Sequence, residues 1–174
     1  YLDPQEGIRY RGYTLPEIFE KLPRPEGAES PYVEGLFYLL LTGDLPTDAE
    51  IQDVVQEFRQ RSVLPDYVYE VVDAFPAGSP PMAIFSAAIL SLSRESEFNK
   101  QYLEGIAKQD YWDPTYEDAM NLVAKLPEIG AYIYAKLYRD GKHIKPDPGL
   151  DLGGNFAHMM DQKKPYDDVS RMYF

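Results

Sequence analysis

Hydrophobic residues recur every three to four positions along most of the chain, the spacing that gives an α-helix one apolar side. The clearest repeat follows Thr47 and consists of Ile51, Val54, Val55 and Phe58. A second run begins at Ser30-Pro31, closes at Gly43 and consists of Val33, Leu36, Phe37, Leu40 and Leu41. Both runs predict helices that pack one side against a core.

Capping patterns and prolines mark where the helices begin. The segments Thr14–Glu17 and Thr47–Glu50 each place Glu three residues after Thr, the arrangement of a capping box. Prolines mark the predicted starts of three further helices, at Pro65-Asp66, Pro80-Pro81 and Asp113-Pro114. The last of these is predicted to run to Gly141 with a kink at Pro127, and a short helix is predicted over roughly 152–160.

The opening of the chain shows the alternation of a β-strand. In the stretch EGIRYRGY, Ile8 and Tyr10 alternate with Arg9 and Arg11, and glycines on either side supply turns. Elsewhere β patterning is scarce, and no internal repeat or linker is visible. The sequence therefore predicts an all-α, multi-helical fold with a short N-terminal strand or hairpin, built as one domain.

The helix predicted after Pro80 has apolar or small residues on nearly every side. Its sequence PMAIFSAAILSLS includes Ala83, Ser86, Ala87, Ala88 and Ser91. Such a helix needs covering on most sides, and small residues let a partner backbone approach closely. It is either a central core helix or a contact between subunits, and the pattern leaves both open.

The chain is strongly acidic, with 17 Lys and Arg against 29 Asp and Glu and a net charge of −12. Such a chain repels polyphosphate unless its cations cluster, which argues against nucleic-acid binding by the arginines and tyrosines of EGIRYRGY. The nearest basic clusters are Lys142-His143-Ile144-Lys145 and Lys163-Lys164. The absence of cysteine excludes disulfides, thiolate metal sites and a Cys nucleophile. No apolar run reaches about eighteen residues, the length that a membrane-spanning helix needs.

The residues show no acid–base constellation. His143 lies in a Lys/Pro loop, where an exposed side chain is expected, and His158 has no Asp or Glu at a spacing that would orient it. The carboxylate pairs Glu117-Asp118 and Asp167-Asp168 are adjacent, so their side chains point apart on a helix. No metal-ligand spacing, nucleotide loop or nucleophile elbow is present. From these residues alone, the chain would be a helical domain without a catalytic site.

Both ends of the sequence suggest a longer polypeptide. The start, Tyr1-Leu2-Asp3-Pro4, begins as if a preceding segment led into it. The final run, DDVSRMYF, stops on Met172-Tyr173-Phe174 with no residue that would end a helix. We therefore expect an incomplete chain.

A series of segments, taken in order, resembles the early part of the large helical domain of citrate synthases of the eukaryotic mitochondrial type. They are YLDPQEGIRYRGYTLPEIFEKLP, EGLFYLLLTGDLPT, FPAGSPPMAIFSAAILSL, SEFNKQYLEGIAKQDYWDPTYEDAMNLVAKLP, IYAKLYRDG and LDLGGNFAHMM. The resemblance covers essentially all 174 residues and rests on their joint order and spacing. It implies that residues 1–174 are a partial large domain, without the small domain and without the active-site half.

The resemblance implies a transferase of the tricarboxylic acid cycle in the mitochondrial matrix. The family condenses acetyl-CoA with oxaloacetate and water to citrate and CoA, and it needs no permanently bound cofactor. An Asp removes a proton from the acetyl methyl group while a His stabilises the enol, which attacks the ketone of oxaloacetate. In the family pattern these groups follow Phe174. No catalytic residue and no metal ligand is therefore assigned to this chain, and the 174-residue piece alone is expected to be inactive.

One binding residue is implied by the segment EGIAKQDYW. The family often places an Arg where this chain has Lys108, and that Arg reaches the phosphates of CoA bound mainly to the other subunit. Lys108 keeps the charge but loses the bidentate fork, and the competing interpretation is an exposed surface lysine. The resemblance also implies a homodimer with the helix around Ala83–Ser91 in the interface.

Two alternatives to a citrate synthase stay open at this point. A 2-methylcitrate synthase shares the fold and uses propionyl-CoA in place of acetyl-CoA. A non-catalytic relative of the family could instead serve as a scaffold or assembly subunit.

Overall fold

The computed structural model describes residues 2–5 and 7–161, and they form a helical fold with one small sheet. The all-α prediction with an N-terminal hairpin is confirmed for this part of the chain. Four features named above lie outside the described residues: Glu6, Lys163-Lys164, Asp167-Asp168 and the final run DDVSRMYF.

Eight α-helices lie within the described ranges. They are α1 (Leu15–Lys21), α2 (Val33–Thr42), α3 (Asp48–Arg61), α4 (Asp66–Asp73), α5 (Pro81–Ser91), α6 (Glu97–Glu104), α7 (Trp112–Tyr138) and α8 (Leu152–Met159). Two short 3-10 turns follow α5 and α6, at Leu92–Glu95 and Lys108–Asp110. The strands are β1 (Leu2–Asp3), β2 (Gly7–Tyr10) and β3 (Tyr13–Thr14), paired antiparallel in the order β1-β2-β3.

A two-residue turn joins β2 to β3 and explains the arginines of the opening segment. Arg11 and Gly12 both have positive φ, +50° and +93°, as the tight turns of right-twisted hairpins require. The guanidinium of Arg11 donates to the Leu40 carbonyl at the end of α2, with Nε 2.9 Å away. Arg9 donates to the Gly12 carbonyl at 2.9 Å. These two side chains hold the hairpin together and join it to α2.

Both predicted capping boxes are confirmed. The Glu17 carboxylate accepts the Thr14 N–H at 2.8 Å, and the Thr14 hydroxyl accepts the Glu17 N–H at 3.4 Å. At the start of α3, the corresponding distances between Thr47 and Glu50 are 2.8 Å and 3.3 Å. Each box satisfies N–H groups that the first turn of a helix leaves without partners.

The long helix α7 begins and ends differently from the prediction. It starts at Trp112, and its cap residue is Tyr111, whose side chain makes no capping hydrogen bond. The predicted cap at Asp113-Pro114 is therefore wrong, because these residues already lie inside the helix. It ends at Tyr138, before the predicted end at Gly141, and it contains Pro127 without a break. Residues 113–114 lie within the first turn, where Pro is tolerated because its missing N–H has no helical acceptor.

The helix predicted after Pro80, MAIFSAAILSLSRES, is divided into α5 and the 3-10 turn Leu92–Glu95, and α6 follows it. Helix α5 ends at Ser91, passes through the 3-10 turn, and α6 begins after Ser96. The patterns above do not predict α6, because no residue of α6 is buried and part of its cap comes from Asp118 on α7. The helix also has local end signals, because the Ser96 hydroxyl accepts the Asn99 N–H at 3.0 Å and Gly105 ends it with positive φ, but the sequence analysis does not use them.

Helix α7 is the centre of the fold and packs against α3, α5, α6 and α8. One buried cluster joins it to α4 and α5 and consists of Leu64, Val68, Val72, Ile84, Ala88, Ile129 and Ile133. A second joins it to α3 through Phe58, Met120 and Ala124. A third, Ile18, Leu22 and Leu39, lies between α1 and α2. Of the helices described, none is long and apolar enough to cross a bilayer.

Candidate functional site

Several cations bind backbone carbonyls inside the fold. The Lys136 ammonium donates to the carbonyls of Val72, Asp73 and Phe75 at 2.7, 2.9 and 3.0 Å, around the end of α4. The Lys125 ammonium donates to the Arg61 carbonyl at 2.9 Å, at the end of α3. Positive charge stabilises a helix C-terminus because the last carbonyls carry partial negative charge. These two ammonium groups therefore stabilise the ends of α3 and α4.

Lys108 differs from these internal cations because its side chain is exposed. It lies in the 3-10 turn after α6, and among the described residues its ammonium has no hydrogen-bond or ion-pair partner. The neighbouring Lys100 is also exposed, but its ammonium lies 3.5 Å from the Glu97 carboxylate. Lys108 thus presents its ammonium group to solvent.

Helix α5 is buried on one side and exposed on the other. Ile84 and Ala88 are completely buried against α4 and α7. On the opposite side, Met82 and Leu90 are 68% and 71% exposed, with the exposed Ser86 between them at helical spacing. Two large apolar side chains flanking a small one form a face on which another helix could pack closely.

An open groove of about 490 Å³ lies beside that face, between α5, α6 and α7. Its walls combine apolar residues such as Leu90 with Glu95, Asp118 and Lys125. Asp118 accepts hydrogen bonds from the Glu97 N–H at 2.7 Å and from the Ser96 hydroxyl at 2.5 Å, and so caps α6. Burial lowers the pKa of the Lys125 ammonium. Asp118 and Lys125, two of the ionic groups in its walls, are therefore engaged in contacts that stabilise the fold.

The adjacent carboxylates Glu117 and Asp118 point apart, as their spacing predicts. Glu117 accepts a hydrogen bond from the Arg61 guanidinium at 2.6 Å on the α3 side of α7. Asp118 binds the start of α6 instead. The two carboxylates therefore act at different contacts and form no acid–base couple.

The prediction of an exposed His143 is wrong. Its side chain is only 14% exposed and packs edge-on against the Tyr132 ring, with the ring centroids 5.0 Å apart. The Nε2 atom lies 4.0 Å from a carboxylate oxygen of Glu128. Burial lowers the pKa of His143 below its ordinary value of 6.5, although the Glu128 charge opposes the shift. The loop folds back over α7, which the polar sequence around His143 does not indicate.

Glu34 is a buried carboxyl group that the sequence analysis does not single out. It is completely buried, and one of its oxygens accepts the Leu152 N–H at 2.8 Å at the start of α8. The other oxygen has no hydrogen-bond partner among residues 2–5 and 7–161. Burial, assisted by the nearby Asp151, raises the pKa of Glu34 to about 7, while Arg59 opposes this. The sequence carries one signal for this buried carboxyl group: Glu34 is the single acidic residue in the apolar run VEGLFYLLLT.

The described residues include no group of three or more His, Asp or Glu side chains arranged to hold a metal ion. His158 lies in the last turn of α8. The two histidines and Lys108 thus lie on three different elements: α8, the loop after α7 and the 3-10 turn after α6.

Comparison with protein families identifies the whole described fold. A family model described as "Citrate synthase, C-terminal domain" matches residues 1–173. The mitochondrial citrate synthase of Xiphias gladius is 47% identical over 174 residues, which are 99% of this chain and 37% of the relative. That of Daucus carota is 43% identical over 173 residues, again 99% of this chain and 37% of the relative.

A solved structure agrees with these sequence matches. The citrate synthase from Pyrobaculum aerophilum superimposes with a TM-score of 0.74 at 30% identity, over 93% of this chain and 38% of that one. The chain thus spans 37% of the length of the curated relatives it matches.

Proposed function

Because the chain belongs to the citrate synthase family, as its resemblance predicted, we propose that it is part of an enzyme that condenses acetyl-CoA with oxaloacetate and water to give citrate and CoA. The proposal is supported most directly by identity of 47% over 174 residues, maintained in order from end to end. The fold supports it independently, through the match to a solved citrate synthase.

We propose that residues 1–174 contribute framework and contacts and supply no reacting groups. They form part of the large helical domain, with the small domain and the reacting groups on other segments. The support is the use of its carboxylates and ammonium groups: Asp118, Lys125 and Lys136 each bind backbone or cap helices. A dicarboxylate and a nucleotide need cationic groups, and the chain carries a net charge of −12.

Two contacts with partners belong to this proposal. Lys108 donates to a phosphate of CoA bound mainly to the other subunit, supported by its exposed and unpartnered ammonium within the described part. The face of α5 formed by Met82, Ser86 and Leu90 packs against a second copy in a homodimer, supported by its large exposed apolar side chains. The relatives from Daucus carota and Xiphias gladius are mitochondrial citrate synthases, which supports a mitochondrial location, and we propose the matrix.

The activity is tested with the full-length protein that carries this sequence. Release of free CoA thiol should require both acetyl-CoA and oxaloacetate, and citrate should accumulate in equal amount. Propionyl-CoA, assayed in parallel, is expected to be the poorer substrate. Preference for propionyl-CoA would indicate a 2-methylcitrate synthase, and the absence of turnover with either thioester would indicate a non-catalytic relative.

A further inference from the structure

A buried polar cluster joins three separate elements of the fold. Glu128 lies on α7, Tyr69 on α4 and His143 in the loop that follows α7. The Tyr69 hydroxyl donates to Oε1 of Glu128, and Nε2 of His143 lies 4.0 Å from the same oxygen. That nitrogen is buried and has no hydrogen-bond partner in the part of the chain that the structure describes. Glu128 is therefore held by α4, while the imidazole stays just outside hydrogen-bond distance.

The surroundings of His143 disfavour a charged ring. The side chains of His143 and Glu128 are only 14% and 9% exposed. Two tyrosine rings cover the imidazole, with centroids at 5.0 Å for Tyr132 and 6.2 Å for Tyr69. A protonated imidazole in this place would lose most of its hydration without gaining a hydrogen bond.

Charged groups on α4, α7 and the loop itself surround the cluster. On α7, the Glu128 carboxylate attracts a proton to His143, and on the loop itself Lys145 repels one. On α4, Asp73 accepts the Tyr132 hydroxyl at 2.9 Å, and Asp66 acts on Tyr69. Desolvation outweighs these charges for His143, so its pKa falls below the ordinary value of 6.5.

The loop that carries His143 is fastened at both ends by side-chain contacts, and between them the backbone hydrogen bonds within the described part of the chain are short-range, such as those from Lys142 to Arg139 and from His143 to Gly141. At one end the Arg139 guanidinium binds the Asp161 carboxylate at 2.5 Å. At the other end Asn155 accepts the Asp147 N–H at 2.7 Å and donates to the Asp147 carbonyl at 2.8 Å. Between them, Asp140 has φ of +53°, a conformation that strains a residue with a side chain.

We propose that residues 140–146, called here the His143 loop, form an acid-triggered latch. The loop lies closed on α4 and α7 while His143 is neutral, and it opens between its two fastened ends when the ring takes up a proton. A cavity of about 30 Å³, large enough for one water, lies next to the loop and has Glu128 and Pro146 among its walls, although His143 does not line it. Hydration of the imidazolium and relief of the Asp140 conformation both favour the open form.

The direction of the pH effect follows from proton linkage. The closed loop holds His143 with a lowered pKa, whereas the open loop exposes it with the ordinary value of 6.5. The open form therefore binds protons more tightly, and acid favours it. Below pH 6.5 the ratio of open to closed loops rises by up to about tenfold per pH unit, until the closed form is protonated as well.

Hydrogen–deuterium exchange of the full-length protein, followed by mass spectrometry of peptides covering 140–146, measures this ratio. After correction for the intrinsic pH dependence of exchange, protection should fall between pH 7 and pH 5 by up to about tenfold per unit. In His143→Gln and His143→Phe the decrease should vanish, because neither side chain titrates. His158→Gln is the matched control and should behave like the parent protein.

Glu128→Gln separates this mechanism from its opposite. If burial drives opening, removal of the attracting carboxylate should make protection of the His143 loop fall further at pH 5 than in the parent protein. Protection that instead rises toward pH 5 in the parent protein, and loses this rise in Glu128→Gln, would mean that an ion pair between His143 and Glu128 closes the loop in acid, and would overturn the proposal. Protection that does not change with pH in the parent protein, or changes equally in His143→Gln and His143→Phe, would also overturn it.

Discussion

At the scale of single residues, Glu34 shows how burial alters a carboxyl group. Its position within the apolar run of α2 places it in the interior, where it meets the N-terminus of α8. One oxygen accepts a backbone N–H, but ionisation still costs more there than in water, and the pKa rises to about 7. The group therefore binds a proton more tightly in the folded state than in the unfolded chain.

Glu34→Gln should change how stability depends on pH. The contribution of Glu34 is fully present below its ordinary pKa of 4.5 and is lost as the pH rises through about 7. The loss is of the order of 3 kcal/mol. The amide keeps an acceptor for the Leu152 N–H but does not titrate, so the variant should gain on the parent protein from pH 5 to pH 8. Urea unfolding at both pH values measures this.

Glu104→Gln provides the control for this prediction, because Glu104 is an exposed carboxyl group on α6. It should leave the difference between pH 5 and pH 8 as it is in the parent protein. If Glu34→Gln changes the free energy of unfolding by the same amount at both pH values, the prediction is wrong. Glu34 would then be ionised in the folded state, and its second carboxylate oxygen would have to bind a partner.

Lys108→Ala should raise the KM for acetyl-CoA in the full-length enzyme. An exposed ammonium–phosphate contact is worth up to about 1 kcal/mol, so the increase should be about two- to fivefold at low salt and smaller at high salt. Lys108→Arg should keep the parent KM. Lys100→Ala removes a nearby exposed ammonium that pairs with Glu97, and it should have little effect. An equal KM for the parent and Lys108→Ala would show that Lys108 is an exposed lysine that does not contact CoA.

At the scale of elements, helix ends are held by side chains from other helices. Lys136 on α7 binds three carbonyls at the end of α4, Lys125 binds the end of α3, and Asp118 binds the start of α6. Unpaired groups at helix ends are costly when buried, so each contact fixes both the length of one helix and its packing on α7. This arrangement makes α7 the element on which the others are positioned.

Ser86→Arg tests whether the exposed face of α5 is a contact between copies. Ser86 lies between the exposed Met82 and Leu90, where a long charged side chain would prevent another helix from approaching. The full-length variant should change from dimer to monomer, as measured by light scattering. Gln56→Arg, on the exposed side of α3, is the control and should remain dimeric. A dimeric Ser86→Arg protein would show that this face lies outside the interface.

At the scale of the whole molecule, the charge distribution separates framework from chemistry. The chain has a net charge of −12, and several of its cations point inward to backbone carbonyls. An anionic substrate bound to it would face repulsion that its remaining exposed lysines do not offset. We therefore propose that condensation uses groups outside the 37% of the relatives' length that this chain spans.

The polypeptide 1–174 by itself should release no CoA from acetyl-CoA and oxaloacetate under conditions where the full-length protein turns over. Circular dichroism establishes whether the polypeptide retains its helices, so that inactivity is attributed to missing groups. Turnover by the helical polypeptide would place an acid and a base within it and would contradict this division.

Patterns that depend on neighbouring residues predict the fold well. The Thr14 and Thr47 capping boxes, the Gly43 end of α2 and the location of α8 are all confirmed, because each depends on contacts within a few residues. The buried state of His143 and the existence of α6 depend on contacts with α7, distant in the chain. The burial of His143 has no local pattern, whereas α6 has a Ser96 cap and a Gly105 end that the sequence analysis does not use.

The sequence by itself determined the helical class, most helix starts and, through the order of its segments, the family. Those properties follow from local periodicity, backbone capping and composition, which act along the chain. Only the tertiary structure decided which ionisable groups are buried, as with Glu34, Glu128 and His143, and which side of α5 remains exposed. The reason is that hydration and electrostatic environment are set by whatever packs against a side chain, and that neighbour is usually remote in sequence.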